Sequence, residues 1–134
     1  MLLVFLILLP SIFLADEVCD LAIQLDKKLR NADTVEQVLA LYINPLRFET
    51  CDGLTVILDD EDVRRKTENQ LESKKEDWYT EVMSKREVKD CKLDSASKVL
   101  EYKVYFRTHN LTMKYRAELK MEGYKIDKEL MCKE

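Results

Sequence analysis

Residues 98–122 alternate apolar and charged side chains with an almost unbroken period of two. The apolar members of the first run are Leu100, Tyr102, Val104 and Phe106. Those of the second run are Leu111, Met113, Tyr115, Ala117, Leu119 and Met121. Because successive side chains of a β-strand point to opposite faces, each run has one apolar and one charged face. The pattern predicts two antiparallel strands whose sheet has one buried side and one side in water.

Helical spacing dominates the part of the chain that precedes these strands. Apolar residues recur every three or four positions over 18–29, and a second apolar stripe covers 35–42. We expect Asp33 to cap the second helix, with an acidic residue three positions later as in a capping box. We expect Asn44-Pro45 to end that helix, because the residue before a proline avoids helical geometry.

A hairpin and a third helix are predicted next. Asp52-Gly53 separates two β-prone runs, 47–51 and 54–58, and this dipeptide suits a type I′ turn. The acidic run 59–62 lacks the alternation and central glycine of a calcium loop, so we interpret it as the start of a helix. That helix is predicted over residues 60–77.

The remaining segments are predicted to be strands. Residues 78–93 mix parities, which indicates a strand with a bulge or bend. In the last strand Tyr124, Ile126, Leu130 and Cys132 share one parity, and Lys128 either points inward or marks a bulge. The predicted order is α-α-β-β-α-β-β-β-β, an α+β fold with N-terminal helices packed on a curved, mainly antiparallel sheet that forms a cone.

The chain begins with a segment typical of export. Residues 1–15 carry no charge, residues 2–9 are all apolar, and Asp16 and Glu17 follow directly. The run is shorter than the ~20 residues that span a membrane, so it is predicted to be a signal peptide cleaved near Ala15. The alternatives are an uncleaved anchor and a buried hydrophobic helix. Residues 16–134 then form a single domain.

Four cysteines lie in this domain: Cys19, Cys51, Cys91 and Cys132. No two of them have the close spacing of a structural zinc site, and an even number in an exported chain favours two disulfides. Three connectivities are open, and buried free thiols are the alternative. Asn110-Leu111-Thr112 is an N-glycosylation sequon at a predicted turn, where a glycan would not disturb the core.

Charge argues against nucleic-acid and membrane partners. The chain has 22 basic and 26 acidic residues, a net charge of −4, with the two signs interspersed. Nucleic-acid binding draws most of its affinity from basic patches, and no basic patch stands out here. We therefore expect no nucleic-acid partner and, once the signal peptide has been removed, no membrane partner.

The element order resembles the nuclear transport factor two-like superfold, whose relatives include ketosteroid isomerase, scytalone dehydratase and the polyketide cyclases. The likeness covers residues 16–134 and rests on the hairpin 47–58, the helix after it and four closing strands. With a signal peptide and four cysteines, the chain looks like the small secreted members found in nematodes. The resemblance implies a cone with an interior pocket, and it implies that dimers through the exposed sheet are frequent.

The residues favour binding over catalysis. His109 is the only histidine, and the pattern places it at a turn far from the cone interior, so no His-based triad is expected. The predicted pocket lining is Trp78, Tyr102, Tyr115, Tyr124 and Lys128. We expect no cofactor and no metal, and a partner that is either a small apolar ligand or an extracellular protein. The alternative is an isomerase or lyase that acts on a hydrophobic substrate, with a carboxylate base and a tyrosine donor in the pocket.

Overall fold

The computed structural model describes residues 15–133, so the predicted signal peptide lies outside the described residues except for Ala15. The helices are α1 (Ala15–Asn31), α2 (Val35–Leu39), α3 (Asp60–Ser73) and α4 (Asp77–Ser84). The strands are β1 (Tyr42–Thr50), β2 (Thr55–Leu58), β3 (Arg86–Asp94), β4 (Val99–Phe106), β5 (Leu111–Lys120) and β6 (Gly123–Lys133). Within this part of the chain, no helix is both long and apolar enough to cross a membrane.

All six strands belong to one curved sheet in the order β2-β1-β6-β5-β4-β3. Strands β1 and β6 run parallel, and every other pair of neighbours is antiparallel. Helix α1 packs on β3 and β4 through an apolar face that includes Val18, Ala22 and Leu25. The predicted α+β class and the helix-covered, mainly antiparallel sheet are confirmed.

The alternation that predicted β4 and β5 corresponds to the buried centre of the sheet. Leu100, Tyr102 and Val104 of β4 have no exposed surface, and Ala117 of β5 has none either. The predicted apolar face ends earlier than the sequence pattern does. Leu119, near the end of β5, and Met121, in the turn after β5, are exposed.

Two predictions about α2 are wrong. Thr34, not Asp33, caps the helix: its hydroxyl accepts from the Gln37 N–H at 3.2 Å, and the Gln37 side chain accepts from the Thr34 N–H at 3.3 Å. This arrangement is a capping box in which Gln takes the place of the expected Glu. The helix ends at Leu39, and Asn44-Pro45 lies inside β1 instead of at the helix end.

The helix predicted over residues 60–77 ends at Ser73, and most of the first half of the strand predicted over 78–93 belongs to helix α4. Residues 79, 82 and 83 are apolar or aromatic at helical spacing, and Val82 is buried. The expected bulge is present in β3, where the register shifts between Lys89 and Lys92.

A second bulge, at Asp127 in β6, decides which side chains reach the interior. Arg116 lies opposite Lys128, and Ala117 lies opposite Ile126, so Asp127 is the extra residue. The side-chain parity therefore reverses, and Glu129 becomes buried. The bulge interpretation of Lys128 is confirmed, and an inward-pointing Lys128 is wrong.

Candidate functional site

A cavity of about 350 Å³ lies between α1, α3, α4 and the concave face of the sheet. Its volume is within the range of small-molecule sites, ~300–1,000 Å³. Much of the wall is apolar or aromatic, contributed by Phe48, Val82, Phe106, Leu111, Met113 and Met131. The polar groups that face it are Arg30, Tyr42, Lys66, Gln70, Tyr115 and Glu129. An apolar wall with a few convergent polar groups is typical of a ligand pocket.

Glu129 forms the first polar group of the cavity. Glu129 is 2 % exposed. Tyr42 Oη donates to one of its carboxylate oxygens at 2.5 Å, and Lys66 Nζ donates to the other at 2.9 Å. Lys66 also lies over the Phe48 ring, 4.9 Å from its centre. Burial, followed by the negative charge of Glu129, raises the pKa of Tyr42 well above its usual range. Tyr42 therefore holds its proton at neutral pH.

Asp26 organises the second polar group from behind the cavity wall. The Asp26 residue is 1 % exposed. Its carboxylate accepts from Arg30 Nε at 3.1 Å and from Arg86 Nε at 2.7 Å. Arg30 Nη2 then donates to Tyr115 Oη at 2.8 Å. Arg86 is also fixed by a bond to the Met83 carbonyl at 2.7 Å. This network holds the Arg30 guanidinium against the cavity.

Two stacked tyrosines lie at the inner end of the site. The rings of Tyr102 and Tyr115 are 5.2 Å apart, and only Tyr115 reaches the cavity. Burial raises the pKa of Tyr115 to about 12, and burial raises the pKa of Tyr102 well above its usual range. The Tyr102 hydroxyl is buried without a hydrogen-bond partner in the described part of the chain. Tyr115 is thus the inner tyrosine that can meet a ligand.

Trp78 and His109 form the rim of the cavity. Trp78 is 48 % exposed, and its ring centre is 6.3 Å from that of His109. The expectation that His109 lies far from the interior is wrong. The turn between β4 and β5 contains a short 3₁₀ helix, Arg107–His109, that folds against α4 and brings the imidazole to the cavity mouth.

Of the predicted lining residues, the structure brings Trp78 and Tyr115 to the cavity. Tyr102 lies one layer deeper, and Tyr124 packs at the edge of the core without lining the cavity. Lys128 lies on the opposite face of the sheet, where its Nζ is 3.5 Å from Glu49. Placing Tyr124 and Lys128 in the pocket was wrong. Parity extended across the bulge assigns Lys128 to the wrong face, whereas Tyr124 is on the inner face but near the end of the sheet, opposite Leu119.

The sequence patterns missed the four charged or hydrogen-bonded residues that define the site. These residues are Arg30, Tyr42, Lys66 and Glu129. A bulge placed at Asp127 predicts an inward Glu129, so that residue could have been found from the Lys128 anomaly. Arg30 and Lys66 stand on the charged sides of helices, and no pattern distinguishes them from ordinary surface residues.

Two disulfides are present, as predicted. Cys19 of α1 is bonded to Cys91 of β3, and Cys51 at the end of β1 is bonded to Cys132 of β6. The sequence separations are 72 and 81 residues, so each bridge joins distant parts of the chain. The first holds the helix that carries Arg30 against the sheet, and the second holds β1 beside the strand that carries Glu129.

Asn110 follows the 3₁₀ helix with a left-handed backbone, φ of 49°, and it is exposed. Its side-chain oxygen accepts from Tyr105 Oη at 3.1 Å. The position agrees with an exposed turn, and occupancy of the sequon by a glycan stays a prediction.

No family model matches the chain, and no curated protein matches it in sequence. Solved structures do match it. A de novo designed protein with a curved β-sheet has a TM-score of 0.60 at 15 % identity, over 87 % of this chain and 97 % of that one. A proposed dehydratase of the NTF2-like family from Streptomyces avermitilis has a TM-score of 0.56 at 8 % identity, over 90 % of this chain and 99 % of that one.

A third similar structure is an NTF2-like protein from Cytophaga hutchinsonii, with a TM-score of 0.51 at 16 % identity over 86 % of this chain and 97 % of that one. The chain has the nuclear transport factor two-like fold. The predicted resemblance is therefore confirmed for the architecture. At identities this low the NTF2-like likeness shows the fold alone, and the activity has to be argued from the cavity.

Proposed function

We propose that this chain is a secreted, disulfide-bonded binding module that holds a small, mainly apolar ligand in the concave cavity. The observation that carries the proposal is the cavity of about 350 Å³, with an apolar wall and a few oriented polar groups. Buried carboxylates hold its polar groups by hydrogen bonds, Asp26 holding Arg30 and Glu129 holding Tyr42. These groups are therefore in position before a ligand binds. Such preorganisation lowers the entropic cost of binding.

The state of Glu129 favours binding over catalysis. A general base must accept a proton from the substrate, and Glu129 is the carboxylate that faces the cavity. One of its oxygens already accepts from Tyr42 and the other from Lys66. The Tyr42 proton is likewise already donated, to Glu129. The carboxylate thus fixes two side chains of the wall, and a substrate would meet only the lone pairs that Tyr42 and Lys66 leave unfilled.

An isomerase or lyase is the second candidate, because a carboxylate and a tyrosine hydroxyl lie within hydrogen-bond distance in the same cavity. Structural neighbours include a proposed ketosteroid isomerase from Parabacteroides distasonis. An enzyme would convert a β,γ-unsaturated ketone to its conjugated isomer, and a binding module would not. The ultraviolet absorbance of the conjugated product measures this turnover. We expect the parent chain and Glu129→Gln to show the same background rate. Turnover that is lost in Glu129→Gln would favour the enzyme.

The proposal of an extracellular location rests on the two disulfides and on the predicted signal peptide. Expression of the full-length chain in a secreting eukaryotic host tests it directly. We expect disulfide-bonded protein that begins near Asp16 in the culture medium. Retention of an intact N-terminus in the cell membrane would contradict the proposal.

Ligand binding is tested with N-phenyl-1-naphthylamine, a neutral aromatic probe whose emission increases in apolar surroundings. The secreted protein is titrated beside Met131→Trp, which places a larger side chain in the cavity, and Leu130→Trp, which makes the same change on the outer face. We expect saturable binding of one probe to the parent and to Leu130→Trp, and at least tenfold weaker binding to Met131→Trp. Equal binding to both variants would refute the cavity as the site.

A further inference from the structure

The positive and negative side-chain charges around the cavity do not sum to zero. Lys66 and Glu129 neutralise each other at 2.9 Å. Among residues 15–133, Asp26 is the carboxylate that pairs with both Arg30 and Arg86, which leaves one positive charge in that group. The Arg30 side chain is only 14 % exposed, so solvent compensates this charge poorly.

Two hydrogen-bond donors at the inner wall also lack an acceptor. The Nε and Nη2 atoms of Arg30 are bonded to Asp26 and Tyr115, and Nη1 has no acceptor in the described part of the chain. Tyr115 Oη accepts from Arg30, and its own proton has no acceptor among residues 15–133. A hydroxyl has one proton to donate, and a guanidinium has five. Both residues line the cavity, which places them beside a molecule bound there.

The position of the guanidinium is well defined. Its central carbon lies 5.2 Å from the centre of the Phe106 ring and 5.8 Å from that of Tyr115. Contact with two aromatic rings and the bond to Asp26 fix the plane of the side chain. An anion placed beside Tyr115 would therefore meet donors that are already oriented.

We propose that the ligand is an amphipathic monocarboxylate, whose carboxylate binds Arg30 and Tyr115 while its apolar body contacts Met113, Met131 and Leu111. This inference rests on the proposed binding function and specifies its ligand class. One carboxylate neutralises the surplus charge and accepts from both unfilled donors, whereas an alcohol of the same length leaves the charge unpaired. The apolar wall between the inner polar group and the rim accommodates the rest of the molecule.

The test is calorimetric titration of the secreted protein with decanoate and, separately, with decan-1-ol. The variants are Tyr115→Phe and Arg30→Met, and the matched control is Tyr102→Phe, which removes the neighbouring hydroxyl that does not face the cavity. Tyr115→Phe keeps the aromatic ring, so it stays informative if Arg30→Met fails to fold.

We expect the parent to bind decanoate at least tenfold more tightly than decan-1-ol. Tyr115→Phe should weaken decanoate binding about tenfold, the loss typical of a hydrogen bond to a charged group, and Tyr102→Phe should not. If the acid and the alcohol bind equally and Met131→Trp weakens both, the carboxylate inference is overturned and the binding cavity stands. If neither compound binds, the carboxylate inference is overturned, and the binding cavity falls with it only if the naphthylamine probe also fails to bind.

Discussion

Replacing Asp26 by Asn removes the negative charge that lies between Arg30 and Arg86. The aspartate makes two charge-assisted hydrogen bonds, at 3.1 and 2.7 Å, and its side chain is 2 % exposed. Asn retains one acceptor oxygen, so one guanidinium keeps a partner and the other faces an amide N–H₂ group. Breaking a buried ion pair by removing one partner costs ~3–5 kcal/mol, because a charge is left buried and unpaired.

We expect the low end of that range, a loss of about 3 kcal/mol in the free energy of unfolding, because Asn keeps one of the bonds. Urea unfolding of the disulfide-bonded protein, followed by circular dichroism, measures it. Asp20→Asn on the same helix is the matched control, since Asp20 is exposed, and its expected effect is within about 0.5 kcal/mol. A loss below about 1 kcal/mol for Asp26→Asn would refute the account of this network.

Three further experiments test other parts of the structure. Tryptic peptides obtained without reduction should link Cys19 to Cys91 and Cys51 to Cys132, and any other pairing would contradict the structure. Since Gly123 has a φ of +120°, Gly123→Ala should cost ~1–3 kcal/mol in urea unfolding from backbone strain alone, and an unchanged stability would contradict this. Burial raises the pKa of Tyr115 to about 12, above its usual value of 10.0, so the folded state holds this proton more tightly than the unfolded chain. The resulting stability is complete below pH 10 and is lost as the pH rises toward 12, so urea midpoints should fall over this window in the parent and less steeply in Tyr115→Phe.

Predictions from local pattern succeeded where a periodicity of two or of 3.6 decides burial. The alternation over residues 98–122 predicts β4 and β5, and the stripe over 18–29 predicts α1. The hairpin at Asp52-Gly53 is also present, but the type I′ turn is wrong, because Gly53 has a positive φ and Asp52 does not. The disulfides follow from cysteine number and the predicted export, although their pairing requires the tertiary structure.

Failures occurred where a single inserted residue or a tertiary contact decides the outcome. The bulge at Asp127 exchanges the faces of β6, and this places Glu129 inside and Lys128 outside. Short helix α4 lies between a helix and a strand, and its mixed apolar spacing fits either structure over so few residues. The pairing of Asp26 with Arg86 spans 60 positions, and no local pattern contains it.

Trp78 is the only tryptophan of the chain and lies at the rim of the cavity, so its fluorescence reports directly on occupancy. The most direct test of the central claim is the emission of Trp78 during titration of the secreted protein with decanoate. We expect a saturable change that fits one site and shifts the emission to shorter wavelength as the ligand covers the exposed indole. An emission that stays constant, or drifts linearly without saturation, with decanoate and with the naphthylamine probe alike would contradict a ligand-binding cavity.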